Sequence, residues 1–251
     1  MKLLDKMLKN KTLHGIIIVI IIWYLLHISV ESNVIPSPYN TFKRFFHLFP
    51  KVLSIHLLAS LVRIMTAVGI SIIIGVPFGL WIGMSKKADS IISPVVYILY
   101  PLPKIAFLPI FMILLGIGNT AKITLIVTII IFQILIGVRD GIKEIPKELY
   151  YSVISMGVSK AGMYRHLIMP AILPRLFSAL RLSLGISIST LFFAENFATT
   201  YGIGYYIMNA WVMVDYLDMF SGILALSLLG LLLLRLMDLL EKKFCPWVFL
   251  K

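Results

Sequence analysis

For most of its length this chain does not alternate or repeat its apolar positions; it runs them together. The stretch GIIIVIIIWYLLHISV at 15–30 and LASLVRIMTAVGISIIIGVPFGLWIG at 58–83 are each long enough to cross a bilayer, since a spanning helix needs roughly 20 apolar residues. Further runs lie near 91–115, 121–138, 177–198 and 219–240. Continuous runs suit helices, whose backbone groups pair within the segment. The pattern predicts six spans and an all-α membrane protein.

Between the spans the polar positions are punctuated. Residues 31–56 form a connector with Pro36, Pro38 and Pro50, and TFKRFFHLFPKVL within it predicts a short amphipathic piece on the membrane surface. In the second span Gly69, Gly75, Gly79 and Gly83 predict close helix contacts. In the third, YPLPKIAFLP places Pro101, Pro103 and Pro109 where they should break regular helix. Such backbone persists at membrane depth only inside protein or beside water. TTYGIGYYIMNAWVMVDYLD at 199–218 reads as a polar loop.

Composition agrees with the pattern: 60% of residues are hydrophobic and 14% charged, with a mean hydropathy of +0.98. The formal charge of +12 would suggest nucleic acid in a soluble protein, but cytoplasmic loops collect Lys and Arg. With both termini inside, Lys2, Lys6, Lys9, Lys11, Lys86, Lys87, Arg139, Lys143, Lys147, Lys160, Arg165, Arg175, Arg181, Lys242, Lys243 and Lys251 lie on the cytoplasmic side. Only Lys43, Arg44, Lys51 and Lys122 lie outside. No nucleic-acid partner is expected. No secretory cleavage site follows the first run. Cys245 is the single cysteine, the five histidines are scattered, and no metal site is expected.

The segment ELYYSVISMGVSKAGMYRHLIMPAILP at 148–174 interrupts the apolar runs. It predicts two short cytoplasmic helices broken at Gly157, the second capped by Ser159. Met163, Leu167 and Tyr164 fall within one turn, and Pro170 and Pro174 are expected to stop the helix before the fifth span. A helix this short is marginal alone and predicts a partner surface; the competing reading is a basic loop on anionic headgroups.

Inside the membrane Glu195 is the most informative acid, because an ionisable group in a span points to function. The alternative is an ion pair with Arg63 or Lys104 that serves packing. Ser187, Thr190 and Asn196 are its polar neighbours in sequence, although hydroxyls in a spanning helix commonly bond a carbonyl one turn back. The residues Arg63, Ser187, Thr190, Glu195 and Asn196 are the candidates for a translocation path.

The chain resembles the permease subunits of binding-protein-dependent ABC importers, in particular the nitrate, sulfonate and taurine branch. Gly157 and MPAILP at 169–174 match that family's cytoplasmic loop. SLVRIMTAVGISIIIGVPFGLWIGMS, PLPKIAFLPIFMILLGIGNTAKI, ALRLSLGISIS and AENFATTYGIGYYIMNA match further blocks, so the likeness covers about residues 55–240. It departs where the family carries Glu-Ala-Ala: Tyr151, Ser152 and Val153 stand there, and the nearest glutamate is Glu148.

The resemblance implies a type I permease fold with an N-terminal segment and first helix at 1–55, a permease core at 56–240 and a tail at 241–251. It implies no enzyme activity and no cofactor bound by this chain. ATP would be hydrolysed by two copies of a partner ATPase docked through Glu148, Tyr151, Gly157, Ser159, Met163, Tyr164, Pro170 and Pro174. A second permease copy, an extracytoplasmic solute-binding protein and the bilayer complete the expected partners. The outer loop with Asp215 and Asp218 and the connector at 31–56 would face the receptor. The absence of GxxxxGK[ST] agrees with a separate ATPase. A carrier or channel working without ATP is the competing class; inverted repeats would favour it, and none is evident.

Overall fold

The computed structural model describes residues 11–30 and 32–249. Every regular element among them is helical. In chain order these are α1 (Lys11–Val30), α2 (Pro38–Leu48), α3 (Ser54–Met84), α4 (Lys86–Leu99), α5 (Leu108–Leu115), α6 (Asn119–Lys143), α7 (Lys147–Ser155), α8 (Lys160–Met163), α9 (Met169–Glu195), α10 (Ile203–Val212) and α11 (Tyr216–Phe244). Five described helical stretches are long and apolar enough to span a membrane, and α4 with the 104–115 stretch forms a bent sixth.

The core is built around α6. Its buried row, including Leu125, Ile126, Ile130 and Ile134, meets α3 on one side and α9 on the other. Three glycines predicted to permit close packing do so. A Cβ on Gly79 would stand 2.7 Å from Leu135 O, one on Gly83 2.7 Å from Ile142 Cδ1, and one on Gly75 3.1 Å from Ile134 Cγ2. Gly69 faces open space and permits no such contact.

The amphipathic piece at 38–48 forms as expected: Ser37 accepts from the Asn40 amide at 3.2 Å, and Phe45 is buried. It continues through a wide turn at Phe49–Leu53 into α3, so 38–84 is one helical stretch and residue 56 falls inside it. The third span breaks at 100–103 and bends by 81°. Pro109 does not take part in that break. It sits in the first turn of α5, where its missing N–H removes no helical bond. Lys104 Nζ donates to Leu99 O at 3.0 Å and Tyr100 O at 2.7 Å, covering carbonyls freed at the end of α4.

Two expectations are corrected. Pro170 and Pro174 do not stop a helix, because residues 160–195 are continuously helical. A wider turn at Tyr164–Ile168, in which the Met169 amide bonds Tyr164 O, precedes Pro170 and accommodates its ring in the first turn of α9. Residues 199–218 are not a polar loop: they contain α10, whose Ile203, Ile207 and Ala210 are buried.

Candidate functional site

Two regions carry the polar chemistry, one at each end of the bundle. At the end where α9 meets α10, Glu195 is 0% exposed and Arg63 6%. The Arg63 guanidinium donates through Nη1 to Glu195 and through Nε to Asn119 Oδ1 at 2.8 Å. Ser60 Oγ lies 2.8 Å and 3.0 Å from the two carboxylate oxygens and accepts from the Ile203 amide at 2.9 Å. The Gly204 amide donates to Glu195 Oε2 at 2.8 Å, and the Gly202 amide to His56 Nδ1 at 3.1 Å. One carboxylate therefore joins α3, α9 and the first turn of α10.

The close approach depends on glycine. A Cβ on Gly202 would stand 2.6 Å from both Glu195 oxygens, and one on Gly204 2.7 Å from Phe192 O. With its amide turned so that the nitrogen faces these carbonyls, Asn196 donates to Gly204 O at 3.2 Å and Phe192 O at 3.3 Å. Lys122, expected as an outside surface charge, is instead 2% exposed and donates to Ala198 O at 3.1 Å.

Of the candidate path residues, the structure thus brings Arg63, Glu195 and Asn196 together with Ser60, which the sequence reading omitted. Ser187 Oγ donates to Ser183 O at 2.7 Å one turn back, and Thr190 is 5% exposed. These groups are enclosed within the single chain. The ion pair of Glu195 is with Arg63; Lys104 covers the end of α4.

On the same side the connector and the 199–218 segment meet. Arg44 Nε bonds Asp218 Oδ1 at 2.6 Å, Tyr206 donates to Asp218 Oδ2 at 2.9 Å, and Asp215 caps α11 by accepting from the Asp218 amide. Burial, with the Asp218 carboxylate accepting its hydrogen bond, pushes the Tyr206 phenol well above its ordinary value.

At the opposite end lies the segment 144–168. Ser159 caps α8, accepting from the Gly162 amide at 3.2 Å. Gly157 adopts φ +68° and turns the chain between α7 and α8, a conformation glycine supplies without strain. Tyr150, Val153, Met163 and Leu167 pack inward on Val138, Ile142 and Ile145. Met163 and Leu167 therefore anchor the segment to its own bundle.

The outward face carries Leu149, Tyr151 at 65% exposure, Ile154, Met156 at 78% and Tyr164 at 40%, together with exposed Glu148, Lys160 and Arg165. Met156, which the sequence reading passed over, is its most exposed large apolar residue. Pro170 and Pro174 lie behind this face, in the first two turns of α9. Glu144 and Arg175 form a two-bond pair at 2.6 and 2.7 Å that ties α6 to α9 beside the segment. Asp89 bonds Arg139 at 2.8 Å and Lys143 at 2.6 Å, adding α4.

Comparison with known proteins gives this geometry a context. The chain is 32% identical over 192 residues to the taurine transport system permease protein TauC of Escherichia coli (strain K12), covering 76% of this chain and 70% of that protein. It is 26% identical over 242 residues to the nitrate import permease protein NrtB of Synechocystis sp., covering 92% and 88%. It is 25% identical over 217 residues to the formylaminopyrimidine transport permease protein ThiX of Halalkalibacterium halodurans, covering 86% and 87%. A chain of the MetNI methionine ABC transporter superposes with a TM-score of 0.64 at 19% identity, covering 75% of this chain and 94% of that one, and so shares the fold. Residues 75–245 match the model of the binding-protein-dependent transport system inner membrane component; the chain belongs to that family, the permeases of ABC importers.

Proposed function

We propose that this permease works as a pair of identical copies, each docked through 147–168 on one of two ATP-binding subunits, and imports a small oxyanionic solute. The observation that carries the docking reading is the outward face of α7 and α8. Leu149, Tyr151, Ile154, Met156 and Tyr164 expose apolar area on a segment packed against its own bundle, and aromatic and Met side chains are enriched in the contact surfaces between proteins. The names of the relatives, taurine and nitrate among them, support the solute class, although ThiX is named for a formylaminopyrimidine.

ATP binding closes the ATPase pair, the docked segments move with it, and the two permeases rock between inward-open and outward-open states. The solute-loaded receptor engages the side formed by the connector and α10. Both termini lie in the cytoplasm, so a reporter that works only outside the cell stays silent when fused after Lys251 and signals if the orientation is reversed. The function is tested by uptake into vesicles of taurine, nitrate and an alkanesulfonate, with and without internal ATP. Uptake of one of them that requires ATP and a soluble receptor is expected, and uptake equal without ATP would replace this reading by a carrier.

A further inference from the structure

Neither polar region explains Gln133. It lies ten residues before the end of α6, roughly 15 Å along the helix axis, and so well inside the spanning stretch. Its carbonyl oxygen accepts from Ser183 Oγ at 3.2 Å, yet among the described residues its amide nitrogen has no protein partner, and the side chain is half-buried. An amide facing hydrocarbon without a partner is costly. The position is therefore unsuited to lipid.

Gln133 lines an open groove of about 270 Å³ between α6 and α9. The floor of the groove is set by Gly137, where a Cβ would meet Ala179 Cβ at 2.7 Å. Along α6 and its C-cap the groove-facing residues Gln133, Asp140 and Glu144 recur at helical spacing, and Arg175 and Ser178 supply the opposite wall from α9. Tyr100, from the break after α4, also lines the groove. The Lys104 ammonium, bonded to Tyr100 O, lies 4.9 Å from the centre of the Phe132 ring, next to Gln133 in the chain.

We infer that this groove is a water-filled part of the solute path and that the Gln133 amide donates a hydrogen bond to an oxyanionic solute, with the Lys104 charge over the ring of its chain neighbour Phe132. The inference rests on the permease reading and moves the path away from Glu195 and Arg63, which are sealed inside the chain. A groove with an unpaired donor suits acceptor oxygens; the Asp140 carboxylate on its wall lies 3.5 Å from the Arg139 guanidinium, and the Glu144–Arg175 pair at its far end leaves no unpaired cation there to hold the solute.

The test labels cysteines in the complete complex, with Cys245→Ser as the background. Gln133→Cys, Ser178→Cys and, as the lipid-facing control, Leu232→Cys are treated with an anionic sulfonatoethyl and a cationic trimethylammonium methanethiosulfonate. Thiolates form in water and not in hydrocarbon, so positions 133 and 178 should react at least about tenfold faster than 232, whose side chain is 61% exposed on α11. Lys104→Gln should lower the anionic-to-cationic rate ratio at position 133 by about threefold or more. Reaction at 133 and 178 as slow as at 232 would overturn the groove; an unchanged ratio would overturn the oxyanion assignment. Co-purification of a P-loop subunit is scored on the same samples. Fast labelling without that subunit would uphold the wet groove and remove the ATP-driven reading.

Discussion

Arg63 on α3 and Glu195 on α9 form an ion pair enclosed on all sides, and the Glu195 carboxylate also holds the first turn of α10 through the Gly204 amide. A charge pair withdrawn from water gains little net energy, but losing one member strands the other, at about 3–5 kcal/mol. Glu195→Ala should therefore lower stability in detergent by about that amount, whereas Glu195→Gln, which keeps a carbonyl for the Gly204 amide, should cost less. The thermal midpoint of the purified subunit, followed by size-exclusion fluorescence, reads both; equal midpoints for Glu195→Ala and the parent would contradict the latch.

Gly157 sets the turn between α7 and α8 at φ +68°. Proline is restricted to φ near −65°, so Gly157→Pro must redirect α8 and the outward face with it. The variant should insert but lose most of its ATP-dependent uptake. Membrane insertion and uptake measured in parallel would show the two separate; normal uptake would refute the docking role of the turn.

The Tyr206–Asp218 bond joins α10 to α11. A phenol whose ionisation is raised adds stability that is complete below its unfolded value, about pH 10, and is lost as pH rises through the folded value. The cost of Tyr206→Phe, about 1 kcal/mol, should be the same at about pH 6 and pH 9. Thermal midpoints at the two values test this, and a penalty that disappears by pH 9 would contradict the assigned donor.

Cys245 is 0% exposed, and its burial, with the Glu241 carboxylate adding, pushes its thiol up. Both effects suppress the reactive thiolate. The native subunit should resist iodoacetamide at pH 7.5 and become alkylated only when unfolded, as intact-mass measurement would show. Rapid alkylation of the folded protein would mean that the tail does not close over α11.

The spans were legible in the sequence because continuous apolar runs leave few alternatives in lipid. The Ser159 cap and the break at 100–103 were also legible, each carried by a few adjacent residues. What failed depended on contacts between distant segments. Pro170 looked like a stop, but the wide turn at 164–168 admits it. GIGYYIMNAW looked like loop because its glycines and tyrosines mask the buried Ile203 and Ile207 of α10. Met163 looked like an anchor for a partner, and its own bundle receives it. Nothing local announced that Ser60 and Gly202 would close around Glu195, 135 residues from Ser60 in sequence.

Docking of a separate ATPase on the outward face of α7 and α8 can be tested directly. Single cysteines at Met156 and Tyr164, in a background with Cys245 replaced, would be cross-linked in native membranes and the products identified by mass spectrometry. A P-loop-containing subunit joined at both positions is expected, with linkage yields that change when ATP is added. Recovery of the chain uncross-linked, still moving solute in vesicles without ATP, would contradict it.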